Sequence, residues 1–360
     1  MARLRTVVLA AGAAVLVRRA LRTRIRRSPL WPLPALEEPV SGRPRSRATT
    51  LRVVRRDTPA DGVVRLRLEG TGELPAWEPG AHLDLVLPSG TVRQYSLCGD
   101  PADRSAYTVA TRLIEAAEGG RGGSLELHRE LREGTEVTVR GPRNRFPLTA
   151  APAYVFVAGG IGITPLLPMV RAAQAAGADW KLLYGGRTRA SMPFADELEK
   201  LGGPERVTLA AEDESGRPDL AAALAGTPEG TTVYCCGPEG LMAAVEAALP
   251  AGCLLRTERF AGGPTGRPSA ARGDLPFEVE LRRTGRTVTV PADRTALEAV
   301  REELPDAPYS CTQGFCGTCR QRVVSGEVDH RDELLADSER DEAMLLCVSR
   351  SRGGRIVLDL

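Results

Sequence analysis

The sequence predicts a multidomain chain: an antiparallel β-barrel, then an α/β domain with a parallel sheet, then a smaller α+β unit. Three observations predict it. Between residues 51 and 147 short β-type runs alternate with Gly, Pro and Asp turns, and one helical pattern interrupts them. From residue 154 the rhythm changes to apolar strand-like runs followed by helical segments, which marks a doubly wound sheet. Near the C-terminus Cys311, Cys316 and Cys319 fall within nine residues, with Cys347 far downstream, so one loop must gather thiols.

At 360 residues the chain is long enough for two or three domains, each with its own core. A net charge of +2 with 26% charged residues gives no field suited to nucleic acid. All but Lys181 and Lys200 of its 48 basic residues are arginine, which reads as compositional bias rather than a phosphate-binding surface. Cys98, Cys235, Cys236 and Cys253 have no framework spacing, and no secretory signal is recognisable. A reducing compartment, the cytoplasm, fits best.

In chain order, an apolar run at 7–17 is followed by arginines from Arg18 to Arg27. It is shorter than the roughly 20 residues a spanning helix needs. Two readings stand: a basic, partly amphipathic helix for an anionic membrane surface or a partner, and a frayed extension. Pro and Arg without periodicity make 31–47 a linker, and order is expected from about Thr50. Strands are expected at 51–55, 63–68, 82–87, 92–97, 107–111 and 136–139, with a helix at 124–131. In the α/β part, strands at 154–158, 180–184, 207–211 and 232–236 alternate with helices at 166–176, 195–201 and 239–249. A second linker leads to a hairpin, 277–282 and 287–290 about a Thr284-Gly285 turn, and then to a helix at 295–303. The expected domains are therefore 1–48 (extension and linker), 49–149, 150–262, 263–276 (linker) and 277–360.

The cysteine spacing, C-x4-C-x2-C with a distant fourth, is the plant-type ligand pattern of a 2Fe–2S cluster. Gly314 and Gly317 lie between the ligands, where backbone N–H groups turn towards the sulfides. A zinc knuckle is the alternative, but only Cys316 and Cys319 have its close spacing. Upstream, Arg93-Gln94-Tyr95-Ser96 sits on a strand, where a plain barrel strand with an exposed Arg looks the same. Arg121-Gly122-Gly123-Ser124 opens a helix, and glycine-rich backbone at a helix start beside an Arg suits a phosphate. Gly159-Gly160-Ile161-Gly162-Ile163-Thr164-Pro165 follows a strand and opens a helix without the Rossmann spacing, so it is another nucleotide-binding lineage or a tight turn. Cys236-Gly237-Pro238 ends a strand on the same sheet edge. Alone, Cys236 reads equally well as a small buried hydrophobe.

Taken in order, these sets resemble the phthalate dioxygenase reductase family, within the ferredoxin reductase-like flavoproteins, from about Thr50 to the C-terminus. The resemblance implies an antiparallel flavin barrel, a parallel-sheet NAD domain and a ferredoxin-like β-grasp domain. It implies that Arg93 and the turn at Arg121, Gly122, Gly123 and Ser124 hold the FMN phosphate. Tyr95 would pack on the isoalloxazine and Ser96 would sit near its N5. NADH would lie over Gly160, Gly162 and Thr164, with Thr164, Cys236 and Gly237 beside the nicotinamide and Asp213 and Glu214 at the domain edge. Phe260 would cover the flavin, plain linker packing being its alternative, and Cys311, Cys316, Cys319 and Cys347 would bind the cluster. The extension at 1–48 lies outside the family core.

A hydride carries two electrons and the cluster accepts one, so a flavin must stand between NADH and the cluster. The scheme calls for no catalytic acid or base, and His82, His128 and His330 read as structural. The expected acceptor is a terminal oxygenase, a Rieske-type aromatic hydroxylase or demethylase. Alternatives are a membrane desaturase or a cytochrome P450, and, from another class, a redox sensor without turnover. Arg187 and Arg189 follow the second strand of the α/β part, where a 2′-phosphate would sit, which keeps NADPH open beside NADH.

Overall fold

Alternation closes the first domain. In the computed structural model, which describes residues 48–114, 122–260, 273–314, 316–332, 334–335 and 337–360, six antiparallel strands form one sheet. They are β1 (Thr49–Ala60), β2 (Val63–Glu69), β3 (Ala81–Val86), β4 (Val92–Ser96), β5 (Ala106–Arg112) and β6 (Glu136–Asn144), in the order β4-β3-β6-β1-β2-β5. Asp61-Gly62 makes the two-residue turn of the first hairpin, with Gly62 in the left-handed region at φ +69° that glycine enters without strain. A bridge between Leu97 and Val109 joins the two ends of the sheet, so the barrel closes and has no free edge there. Leu51, Val53, Leu66, Leu68, Leu83, Leu85, Val137 and Val139 fill it. Helix α1 (Gly123–Glu130) packs Leu127 into the same core. On β3, Leu83 and Leu85 point inward, and His82 and Asp84 must point out. Both are nonetheless buried.

The second sheet is parallel throughout. Its strands are β7 (Ala153–Gly159), β8 (Asp179–Gly186), β9 (Val207–Ala211), β10 (Thr232–Cys236) and β11 (Leu254–Glu258), ordered β11-β10-β7-β8-β9. Helices α2 (Ile163–Ala175), α3 (Ala195–Arg206), α4 (Glu212–Ser215), α5 (Leu220–Leu224) and α6 (Glu239–Ala247) connect them. The sequence pattern expects four strands here. The fifth, β11, is an edge strand with Leu254 turned to solvent, so it carries no continuous apolar run. The chain leaves β7 towards β8 on one side and returns at β10 on the other, which places the topological switch point between β7 and β10. The Tyr234 hydroxyl welds barrel to sheet: it donates to Pro147 O at 3.0 Å and accepts from Thr149 N at 2.8 Å.

The third sheet is mixed and β-grasp-like. Strands β12 (Phe277–Leu281), β13 (Arg286–Val290), β14 (Arg320–Ser325), β16 (Ala343–Leu345) and β18 (Arg355–Leu358) are ordered β13-β12-β18-β14-β16, with β12 parallel to β18. A small ladder pairs β15 (Val328–Asp329) with β17 (Arg350–Ser351). Helix α7 (Ala296–Glu303) begins at a capping box in which Thr295 and Glu298 bond each other's backbone N–H, and α8 (Asp337–Arg340) precedes β16. The buried Arg350 guanidinium donates to Arg294 O, Leu275 O and Pro291 O and lies 4.9 Å from the Phe277 ring, which pins the entry of the domain. All three sheets belong to one compact unit, Ser46–Leu360. Among the described residues no helix is long and apolar enough to cross a membrane.

Candidate functional site

Four thiols meet where α7, β14 and the strand after α8 converge. Cys311, Cys316, Cys319 and Cys347 are all buried and unbridged. The Cys311 thiol contacts those of Cys316 and Cys347, and Cys347 contacts Cys319, so the sulfurs form one chain. Backbone N–H groups point at them: Gln313 N to Cys311 Sγ at 3.3 Å, and Cys311 N and Thr318 N to Cys316 Sγ, each at 3.5 Å. Positive φ at Thr312 (56°), Gly314 (82°) and Gly317 (63°) turns the backbone this way. The Cys311 thiol beside it, together with burial, pushes the Cys316 thiol far above the ordinary range. Such a pocket accepts four thiolates only if cationic metal offsets their charge. Phe315 lies outside the described residues.

One crevice touches all three domains. It is lined by Arg93, Gln94 and Ser96 of the barrel, Glu258 at the end of β11 with Phe260 just past it, and Cys311 and Cys316 of the cysteine loop. Arg93 lies across the start of α1: a Cβ on Gly123 would come 2.6 Å from Arg93 Nε, so any larger residue there would push the Arg93 side chain aside. Gly122 supplies the left-handed N-cap at φ 80°. Ser124 Oγ accepts from Ile114 N at 3.0 Å and donates to Ile114 O at 3.3 Å, holding the strand end to the helix start. Arg121 lies outside the described residues. Tyr95 sits apart from its neighbours, packed on the barrel core with its hydroxyl bonded to Thr111. Ser96 Oγ donates to Glu258 Oε2 at 3.3 Å. Burial outweighs that bond and pushes the Glu258 carboxyl up to about 8.

At the switch point the glycines solve a packing problem. A Cβ on Gly162 would sit 2.2 Å from Cys236 O, and one on Gly237 would sit 3.0 Å from Gly159 Cα. Gly160 differs: its φ is +54°, and its open side meets only Arg112 Nη1, at 3.9 Å. Thr164 is buried and donates to Ile161 O at 3.0 Å, which closes the turn before α2. Burial raises the Cys236 thiol well above its ordinary value, so it stays neutral. Asp213 and Glu214 fall on α4, just past edge strand β9.

The chain matches the family model of the 2Fe-2S iron-sulfur cluster binding domain over 279–352 and that of the oxidoreductase NAD-binding domain over 156–247. A solved phthalate dioxygenase reductase is 34% identical, with a TM-score of 0.67 over 87% of this chain and 98% of that one. The chain belongs to the phthalate dioxygenase reductase family. The reductase is also 40% identical to the tert-butanol monooxygenase / tert-amyl alcohol desaturase reductase subunit of Aquincola tertiaricarbonis, over 81% of this chain and 89% of that one. A solved intact type IV self-sufficient cytochrome P450 monooxygenase is 41% identical with a TM-score of 0.76 over 87% of this chain. The reductase spans 41% of that longer chain. As a family member it is an iron–sulfur flavoprotein oxidoreductase that moves electrons from NADH through FMN to a 2Fe–2S cluster. The cluster excludes the zinc-knuckle reading.

The residues present fit these groups. Four buried thiols with N–H donors suit the cluster, and a glycine-lined helix start under Arg93 suits a phosphate. Sequence reasoning missed three things here. Arg112 reaches the glycine turn from another domain, Glu258 pairs with Ser96, and Arg145 packs on Gly317 of the cysteine loop. None has a local motif, because each acts across a domain boundary.

Proposed function

We propose that the reductase delivers its electrons to a terminal oxygenase. The single observation that carries this is its 38–40% identity to reductase subunits of oxygenase systems, and the shared crevice, in which the flavin strand, the end of β11 and two cluster ligands face one space, supports electron passage between the cofactors. Bound FMN supplies the change from a two-electron hydride to the single electrons that a cluster accepts. Arg93, with the α1 N-terminus at Gly122 to Ser124, would hold its phosphate, and Arg121 beside them would add charge. Ser96 and Glu258 line the same crevice and would border the flavin's reactive edge, which Phe260, 42% exposed at the crevice, would cover. Tyr95 supports this strand from the barrel side. Gly160, Gly162, Thr164, Cys236 and Gly237 shape the crevice for NADH, and Arg112 supplies the positive charge opposite Gly160. The cluster ligands are Cys311, Cys316, Cys319 and Cys347. The working domains are 49–149, 150–262 and 277–360.

NADH is favoured over NADPH. Arg189 is held by Asp196 and Glu199, and Glu212, Asp213 and Glu214 bring negative charge where a 2′-phosphate would sit. The cytoplasm is supported by eight unbridged cysteines. The likeness to the P450 monooxygenase supports a P450 as the second acceptor. Contact of the extension with a membrane rests on its arginines, at 1–48, and those residues up to 47 lie outside the described residues. Partial sedimentation with anionic vesicles at low salt, lost in a chain starting at Thr49, is the expected sign.

The test is to purify the chain, count FMN and iron, and reconstitute it with a Rieske oxygenase and with a P450. About one FMN and two irons are expected, with NADH-driven turnover by the oxygenase. Turnover by the P450 alone overturns the oxygenase assignment.

A further inference from the structure

Asp84 has no business being buried on the outer face of a barrel unless something is built over it. Its side chain is 0% exposed. A buried carboxylate costs several kcal/mol unless it is paired and hydrogen-bonded. Two of its partners come from the barrel: Gln94 Nε2 donates to Oδ1 at 3.2 Å, and Arg143 pairs with Oδ2. The third comes from another domain. Ser310 Oγ, itself buried, donates to Asp84 Oδ1 at 2.8 Å.

Ser310 immediately precedes Cys311, a thiol that lines the crevice. Asp84 lies on β3 directly opposite Gln94 of β4, two residues from Ser96. One charge-assisted hydrogen bond thus ties the cysteine loop to the pair of strands that forms the barrel wall of the crevice. A second contact, Arg145 against Gly317, lies further along the same loop. Two contacts on one loop fix its orientation as well as its distance.

We propose that Asp84 is a positioning residue which, through Ser310, seats the cysteine loop on the flavin strands and so sets the gap between flavin and cluster. This rests on the reductase reading. Electron transfer through a protein weakens steeply with distance, so loosening the seat slows the second step, flavin to cluster. Hydride arrival from NADH depends on the glycine turn of the parallel sheet, which is not among the partners of Asp84 or Ser310.

The experiment is stopped-flow reduction of the full cofactor-loaded chain by NADH, following flavin bleaching and cluster reduction separately. Amide exchange over 310–320 is measured on the same samples. For Ser310→Ala and Asp84→Asn, with native iron and sulfide content, flavin reduction stays within about twofold, while cluster reduction slows about tenfold or more, as ~1 Å misplacements do. Exchange in the loop rises. Ser310→Thr, which keeps the hydroxyl, restores both. Native exchange and native cluster reduction in Ser310→Ala overturn the proposal. So does a parallel fall of both steps, which would make Asp84 a support of the barrel alone. If NADH fails to bleach the native flavin, the reductase reading fails, and the exchange arm still tests the seat.

Discussion

Two glycines two residues apart in one turn do different work, and substitution separates them. Alanine at Gly162 would press into the Cys236 carbonyl at 2.2 Å. Overpacking of backbone on backbone costs about 1–3 kcal/mol or more. Alanine at Gly160 meets open space and bears only the left-handed φ, about 1–2 kcal/mol. Urea titration is expected to rank Gly162→Ala well below Gly160→Ala in midpoint, and Gly160→Ala to raise the KM for NADH. At the same scale, Glu258 titrates from about 8 in the fold against about 4.5 unfolded, because burial outweighs its bond to Ser96. The folded chain keeps a proton the unfolded chain has lost. Its contribution is therefore full below pH 4.5, falls by up to about 1.4 kcal/mol per pH unit, and is gone above pH 8. Denaturant melts from pH 5 to 9 are expected to show that slope, and Glu258→Gln to flatten it.

Elements were legible where one periodicity ruled a whole segment. The strands at 207–211 and 232–236 fall as β9 and β10 do, and the helix expected at 295–303 forms as α7 after the Thr295 cap. β11 escaped because an edge strand with Leu254 exposed needs no apolar run. α5 escaped because five residues carry too little pattern. The cysteine loop was legible from spacing alone, since ligand chemistry dictates it. Asp84, Arg112 and the pairing of Glu258 with Ser96 were not, because the groups that meet lie far apart along the chain. The capping box gives a prediction at this scale: Thr295→Ala removes one side-chain cap and costs about 1 kcal/mol. Thermal melting is expected to fall by a few degrees with iron content unchanged, because the cap's own bonds stay within the first turn of α7. A loss of iron would mean that α7 and the cysteine loop fold as one cooperative piece.

At the scale of the molecule the three domains act in series only if electrons have no path to the acceptor that skips the cluster. The crevice places Ser96 and Glu258 on one side and Cys311 and Cys316 on the other, so the cluster stands between the flavin strands and the far face of the third domain. Cys316→Ser tests this. An uncharged hydroxyl replaces a thiolate that receives two backbone N–H groups, and losing a direct ligand should cost more than the roughly 10–100-fold typical of losing a group that merely supports one. Bleaching of the flavin by NADH is expected at the native rate, because the barrel and the parallel sheet are untouched. Reduction of a two-electron dye is expected to persist, and NADH-driven reduction of cytochrome c to fall by about 100-fold. FMN content and melting temperature, read on the same sample, separate loss of the cluster from loss of the fold. Cytochrome c reduction at the native rate would mean that the flavin reaches acceptors directly, and the series arrangement of the domains would fall.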